Sequence, residues 1–305
     1  MNTEDKLPPE FKTPTALPDD AHQSAWQEQN RSWWEKNPMR YDWNEKLSAP
    51  EFSRQFYEEI DGRFFNDAAR YMPPKERPFD EIIPFEKLPE WDVLEIGVGN
   101  GSHAQLMAPH CRSYTGIDLT EFAVKSTGTR FQTFGLPGRI LRMDAEKLEF
   151  PDASFDFIWS WGVIHHSANT GQILSEMHRV LKPGGNATIM VYHRSFFYFY
   201  IFSGFFRGVL SGGFLKTRSL HELVQLHSDG AIARLYRPAE WRSLVESKGF
   251  TLTDQRIKGQ KSELFPLPAS RFKNHLMALM PNSLSRFITN RCRQGSFLIT
   301  TIHKS

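Results

Sequence analysis

The run Asp92-Val93-Leu94-Glu95-Ile96-Gly97-Val98-Gly99-Asn100-Gly101-Ser102-His103 constrains this chain more than any other stretch. Val93 to Val98 is apolar except at Glu95 and Gly97, and three glycines then alternate before a segment that can become helical. The pattern predicts a buried parallel strand, a tight turn and a helix start. Glycine reaches positive φ and lets a ligand touch main chain, so such a turn can receive a flat or anionic group close to backbone N–H donors. A glycine turn alone is common in ordinary loops. Here the next strand, Ser113 to Asp118, ends in an acid seventeen residues after Gly101, near the distance at which a carboxylate grips the ribose hydroxyls of an adenosine cofactor.

The 305 residues suit one large domain with an accessory region, or two small domains. With 40% hydrophobic and 24% charged residues the composition is that of a globular protein, and the net charge of +2 gives no strong electrostatic case for DNA, RNA or an anionic membrane. Cys111 and Cys292 form neither a disulfide framework nor a metal-ligand spacing, so no metal is expected and a reducing, cytoplasmic setting is the simplest expectation. The charged, proline-containing first residues lack the apolar core of a signal peptide. Nothing in the sequence speaks to oligomeric state.

Residues 1–20 hold four prolines among charges and are expected to be a mobile arm. Residues 21–90 read as an N-terminal helical cap with two helices, the second expected over 49–71 and closed by Met72-Pro73-Pro74. Residues 91–194 alternate strand and helix with short connections, which argues a parallel sheet covered on both faces and ligands at the strands' carboxyl ends. Residues 195–237 interrupt that alternation with the aromatic run Phe196 to Phe206, bracketed by Arg194 and Arg207. This run is shorter than the ~20 apolar residues of a membrane span. It is expected to be a buried helix of an inserted cap or lid, with a membrane-surface patch over 196–206 as the alternative. Residues 238–305 supply a helix and two terminal strands that complete the sheet. The chain's 25 Phe, eight Trp and eight Tyr concentrate in the two cap regions, where they suit the wall of an apolar pocket or simply an aromatic core.

Taken together, Glu95-Ile96-Gly97-Val98-Gly99-Asn100-Gly101, Asp118, Met143-Asp144-Ala145-Glu146, Phe150 to Asp156, Ser160-Trp161-Gly162-Val163-Ile164-His165-His166 and Arg179 to Gly185 resemble the class I S-adenosylmethionine-dependent methyltransferases of the bacterial small-molecule type. The resemblance is strong over about 90–195 and weaker over 237–304. It implies an α/β fold with a seven-stranded Rossmann-like methyltransferase sheet, order 3-2-1-4-5-7-6, the last strand antiparallel, here carrying an aromatic-rich helical cap. It implies S-adenosylmethionine as cofactor, with Gly97, Gly99 and Gly101 under the methionine part and Glu95 helping to hold its ammonium, directly or through water. By the same resemblance Asp118, with Leu119 beside it, takes the ribose, Asp144 and Ala145 take the adenine, and Trp161 marks where cofactor and acceptor meet. A nicotinamide dehydrogenase would have its third glycine one position later, where this chain has Ser102.

Methyl transfer from a sulfonium is an in-line displacement, so the protein must chiefly align nucleophile, methyl and sulfur. A hydroxyl acceptor needs a base and a thiol barely does. His165 and His166 past the fourth strand, and Tyr192 and His193 closing the fifth, are the candidate proton-transfer groups, each of which also reads as structural. The expected activity is methylation of a small molecule, with a small thiol or sulfide as the first acceptor. The alternatives are an O- or N-methyltransferase of a natural-product or lipid-like acceptor, and a non-catalytic cofactor-binding subunit.

Overall fold

In the computed structural model, residues 20–42, 45–217, 219–265, 267 and 270–305 are described; of the expected arm over 1–20 only Asp20, which opens a helix, lies among them. Two helices precede the sheet: α1 (Asp20–Lys36) and α2 (Arg54–Tyr71). Helix α2 begins five residues later than the apolar stripe predicts, because Ser53 serves as its N-cap and accepts from the Phe56 N–H at 3.1 Å. The core then runs β1 (Asp92–Ile96), α3 (Ser102–Met107), β2 (Ser113–Asp118), α4 (Glu121–Phe134), β3 (Arg139–Arg142), β4 (Phe155–Trp161), α5 (Thr170–Val180) and β5 (Leu181–His193). Gly135 closes α4 in the left-handed region at φ 64°, as the sequence predicts. Helix α5 ends at Val180, just before Lys182-Pro183-Gly184-Gly185, a stop signal in the sequence; those four residues lie within the start of β5, where the register with β4 shifts.

After β5 comes the insert helix (Phe196–Leu210), followed by α6 (Leu220–Leu226) and the two-residue strand β6 (Leu235–Tyr236). The insert helix is wound more widely than an α-helix, and the Ser211 N–H reaches back five residues to the Phe206 carbonyl. It is not the buried helix the sequence suggests. Phe199, Ser203, Gly204 and Gly208 face inward, while Phe196, Phe205, Phe206, Val209 and Leu210 are exposed. The chain ends with α7 (Pro238–Glu246), β7 (Phe250–Lys258), α8 (Arg271–Leu279), α9 (Asn282–Arg286) and β8 (Phe297–Lys304).

The sheet order is β3-β2-β1-β4-β5-β8-β7, with β6 paired to β5 off that path. Counted without the two-residue β6, this is the expected 3-2-1-4-5-7-6, and β8 is antiparallel to both β5 and β7. One face packs Leu94, Ile158 and Ile189 against Leu174, Met177 and Trp241 of α5 and α7. The other packs Val93, Phe157 and Trp159 against Phe64 and Ala68 of α2 and Ala104 and Met107 of α3. Both faces are therefore covered, which leaves the carboxyl edge as the sheet's open rim.

Helix α2 is tied to that rim by a polar knot. The fully buried Arg130 guanidinium donates to Asp61 at 2.8 and 3.1 Å, and the Ser102 hydroxyl, directly after the glycine turn, donates to the same carboxylate at 2.6 Å. Removing one partner of a buried pair strands the other charge. Asp61→Ala is therefore expected to destabilise the fold by about 3–5 kcal/mol, read as a shift of the urea midpoint with an unchanged slope.

Candidate functional site

The carboxyl ends of β1 to β5 form the floor of a cavity of about 560 Å³, within the range of small-molecule sites. Its centre is the glycine turn. Gly97, Gly99 and Gly101 have φ of 82°, 54° and 80°, a region that side chains rarely enter. A Cβ at Gly97 would sit 2.2 Å from a Val163 methyl, whereas one at Gly99 would meet nothing within 4 Å. Gly99 thus opens directly onto the cavity, and bare backbone there is a cradle that a side chain would fill.

On the β2–β3 side stand the two expected acids. Asp118 accepts from Thr120 N–H (3.0 Å), Thr120 hydroxyl (2.8 Å) and Gly99 N–H (3.2 Å). Burial raises its pKa against the pull of those hydrogen bonds. Asp144 accepts from the Glu146 N–H and from the Gln27 side chain, both at 2.9 Å, and burial raises its pKa as well. Leu119 and Ala145 line the cavity between them. Helix α1 roofs this end. Its Glu35 carboxylate accepts from the N–H groups of Glu121 and Phe122 at the start of α4, and Gln27, Asn30 and Trp34 face the cavity. The buried Asn30 Oδ1 has no hydrogen-bond partner.

Gly97, Gly99, Asp118, Leu119, Asp144, Ala145 and Trp161 come together at the cavity, whereas Gly101 does not line it and packs against Thr127 and Arg130. Glu95 does not line it either. It is buried within the sheet and accepts from the Tyr114 hydroxyl of β2 at 2.5 Å; burial raises its pKa to about 8. Its carboxyl is outside the cavity lining, so an ammonium there would not meet it directly.

The four proton-transfer candidates also separate. His166 and Tyr192 line the cavity; His165 and His193 do not. His165 is fully buried, with ring centroids 4.0 Å from both His166 and Tyr192 and no partner for either ring nitrogen. Burial, aided by the His166 and Arg234 charges, holds its pKa far below the usual range. His193 Nδ1 donates to the Gly295 carbonyl at 2.7 Å on the far side of β5. His166 Nδ1 faces the Ile232 carbonyl at 2.6 Å; a carbonyl only accepts, so Nδ1 carries the proton. Burial lifts the Tyr192 hydroxyl well above the ordinary tyrosine value, so it stays a donor.

Beyond β5 the cavity continues to groups from three parts of the chain, of which the sequence singles out only Tyr41 and Asp229 as able to face a pocket. Tyr41, Asp67 and Tyr71 come from the N-terminal cap, Tyr198 and Asp229 from the insert, and Gln260, Glu263 and Phe297 from the C-terminal part. Gln260 joins two acids: its side chain donates to Asp67 at 2.7 Å and its backbone N–H to Glu263 at 2.7 Å. Glu263 also accepts from the Ser296 N–H and hydroxyl, yet burial still raises it to about 7. Asp67 is raised by burial too. His103 follows the turn into α3 and lies among Phe64, Phe79, Trp159 and Trp161; Nε2 has no partner, and burial lowers it to about 3. Among the described residues no cluster of His, Cys, Asp and Glu has metal-binding geometry.

Residues 94–189, which carry the turn, both acids and Trp161, match the family model described as a methyltransferase domain. The chain thus carries a domain of the class I S-adenosylmethionine-dependent methyltransferase family, whose cofactor is S-adenosylmethionine. Over 100 residues it is 34% identical to the 27-O-demethylrifamycin SV methyltransferase of Amycolatopsis mediterranei, covering 32% of this chain and 37% of that protein. Over 95 residues it is 38% identical to the phthiotriol/phenolphthiotriol dimycocerosates methyltransferase of Mycobacterium tuberculosis (strain H37Rv), covering 30% and 34%. The matched span is about a third of the length of these curated relatives. The fold is similar to that of a chain from the complex between the Haloferax volcanii Trm112 methyltransferase activator and a candidate methyltransferase, with a TM-score of 0.51 at 16% identity, covering 82% of this chain and 96% of that one.

The residues present fit the cofactor. The turn offers bare backbone, two carboxylates face the nucleoside side, and the orphaned Asn30 oxygen can take a donor. Glu95 yields a separate expectation. Its carboxyl binds a proton in the folded chain up to about pH 8, against an ordinary value of 4.5, so the folded state gains protons relative to the unfolded one across that window. Stability from this group is present below the ordinary value and declines as pH rises toward 8. The urea midpoint of Glu95→Gln, which stays neutral, is expected to fall less over that window than that of the parent chain.

Proposed function

We propose that the chain is an enzyme that moves the methyl group of S-adenosylmethionine to a hydroxyl oxygen of a small, largely apolar acceptor. The observation that carries this reading is one continuous cavity, running from Asp144 and Asp118, over the glycine turn, to a wall of tyrosines and carboxyl groups beyond β5. When bound, the cofactor supplies a methyl on a positively charged sulfur, and loss of that charge is not opposed by a site poor in water. In this reading Asp118 binds the ribose hydroxyls, Gly99 lets the amino-acid part lie against backbone, and Asp144 with Ala145 sets the adenine. Trp161 and Met190 shape the crossing point, and α1 excludes water from above.

The acceptor then lies against Tyr41, Tyr71, His103 and Tyr192. Tyr192, protonated at all working pH values, orients the acceptor as a donor. The acceptor's hydroxyl proton passes to the Asp67–Glu263 pair as the new oxygen–carbon bond forms and the sulfur–carbon bond breaks. A carboxyl at about 7 is suited to that transfer near neutral pH, and His103, held at about 3, is too weak a base for it. His166 buttresses Trp34 and Tyr192, its ring centroid 4.9 Å from the one and 5.4 Å from the other. The hydroxyl reading accords with the relative named for an O-demethylated rifamycin and with the one named for phthiotriol lipids. The thiol or sulfide acceptor expected from sequence has only the aromatic wall in its favour, since it would leave the carboxyl pair without a task.

A panel of alcohols, phenols, amines and thiols, scored by formation of S-adenosylhomocysteine, tests the proposal. Turnover confined to hydroxyl compounds is expected. Turnover confined to thiols or amines sinks the acceptor assignment, and cofactor binding with no turnover anywhere favours a non-catalytic subunit. Asp118→Ala is expected to weaken cofactor binding by roughly 1.5–3 kcal/mol, the cost of losing a charged hydrogen-bond partner, as measured by calorimetry; an unchanged affinity removes its ribose role. With the carboxyl pair as base, kcat/KM is expected to rise with pH through about 7, and Glu263→Gln to abolish that rise.

A further inference from the structure

Every large apolar side chain that is exposed among the described residues lies in one of two segments, 196–215 and 272–287. Val209, Leu210 and Leu215 are 60%, 63% and 92% exposed, and Phe272, Leu279 and Phe287 are 64%, 67% and 56% exposed. Scattered single exposures of this kind are ordinary; their confinement to two segments is not.

The insert helix has two distinct sides. Phe199 packs with Val224 and Leu235 of α6 and β6, while Phe205 and Val209, and Phe206 and Leu210, spaced four apart, face outward. Helix α8 has no buried residue at all, so its nine-residue amphipathic sequence Arg271–Leu279 is not held by a core. It is anchored instead by polar contacts, with the Lys261 ammonium donating to the carbonyls of Met277 and Met280. The two segments adjoin. The Phe197 N–H donates to Gln294, and burial together with the neighbouring Arg207 charge lowers Lys273.

Their charge is one-sided. Residues 195–221 and 264–296 hold eight Lys and Arg and no Asp or Glu, while the rest of the chain carries all 35 acids against 29 Lys and Arg. No helix among the described residues is long and apolar enough to cross a membrane. An apolar face rimmed by cations alone, on helices too short to span, is the chemistry of a segment lying in the plane of a bilayer surface.

We propose that the insert helix, its following turn to Leu215 and helices α8 and α9 form one docking face for an anionic phospholipid surface, with Val209, Leu210, Leu215, Phe272 and Leu279 entering the headgroup–acyl boundary. Arg207, Lys216, Arg271 and Lys273 meet the lipid phosphates. The proposal is independent of the acceptor assignment, because neither segment's outward side chains line the cavity.

Co-sedimentation of the full chain with phosphatidylcholine vesicles, and with an equal mixture of phosphatidylcholine and phosphatidylglycerol, is the test. Binding to the mixture, weakened by salt, is expected. Val209→Glu and Leu215→Glu are each expected to lower the partition coefficient roughly tenfold or more, and Arg271→Ala and Lys273→Ala roughly fivefold each. Thermal melting followed by circular dichroism verifies that each variant folds, and the alanine variants test the face without placing a charge on it. The proposal is overturned if the chain stays in the supernatant with the mixture, if both vesicle types bind equally, or if folded variants bind as the parent does. It is also overturned if sedimentation velocity shows a dimer that Leu215→Glu dissociates while vesicles are ignored, since a second copy then covers the face.

Discussion

A parallel sheet clad with helices on both faces has one place left where a ligand can reach main chain, the rim at the strands' carboxyl ends. Everything functional in this chain follows from that restriction. Successive strands deliver Gly97, Asp118, Asp144, Trp161 and Tyr192 to the same rim because each strand of β1 to β5 runs in the same direction. The opposite edge carries a different load: Asp92 and Asp156 are bound by Arg112 and Lys182, an ion network that stitches strand beginnings together.

The rim alone is shallow, and the caps give it depth. Helix α2 is fastened by Asp61 to Ser102 and Arg130, so the segment that brings Phe64, Asp67 and Tyr71 to the cavity is fixed to the helix start that follows the glycine turn. The polar knot and the binding surface thus share one mechanical frame. On the far side, β8 and the 261–264 turn bring Phe297 and Glu263 against that same frame, with Gln260 joining α2 to the C-terminal part.

The strands, their order and the nucleoside side were legible because they depend on local signals: an apolar run, a glycine turn, an acid at a strand end. What was not legible depends on direction and distance. Glu95 is taken up by the Tyr114 hydroxyl of the neighbouring strand and His193 by the Gly295 carbonyl, pairings that spacing along one strand does not announce. His165 and His166 are adjacent in sequence, yet only the second reaches the cavity, because Arg234 binds the carbonyls of Ser167 and Ala168 and its backbone N–H takes that of His165. Asp67, Gln260 and Glu263 meet across nearly two hundred residues, and no local pattern announces such a meeting. The insert's aromatic run was read as interior because composition registers how apolar a helix is and not which side has a neighbour.

Gln27 gives the roof helix a consequence of its own. Its amide occupies Asp144, and its carbonyl oxygen takes the Ala168 N–H, so the polar positions that would receive an adenine are engaged by the chain itself. A nucleoside that claims Asp144 must first dislodge that amide, and its apparent affinity is discounted by whatever fraction of molecules keeps α1 seated. Shortening the chain before Trp33 would then trade shelter for speed: a faster exchange of spent for fresh donor, and a wetter chamber in which to use it.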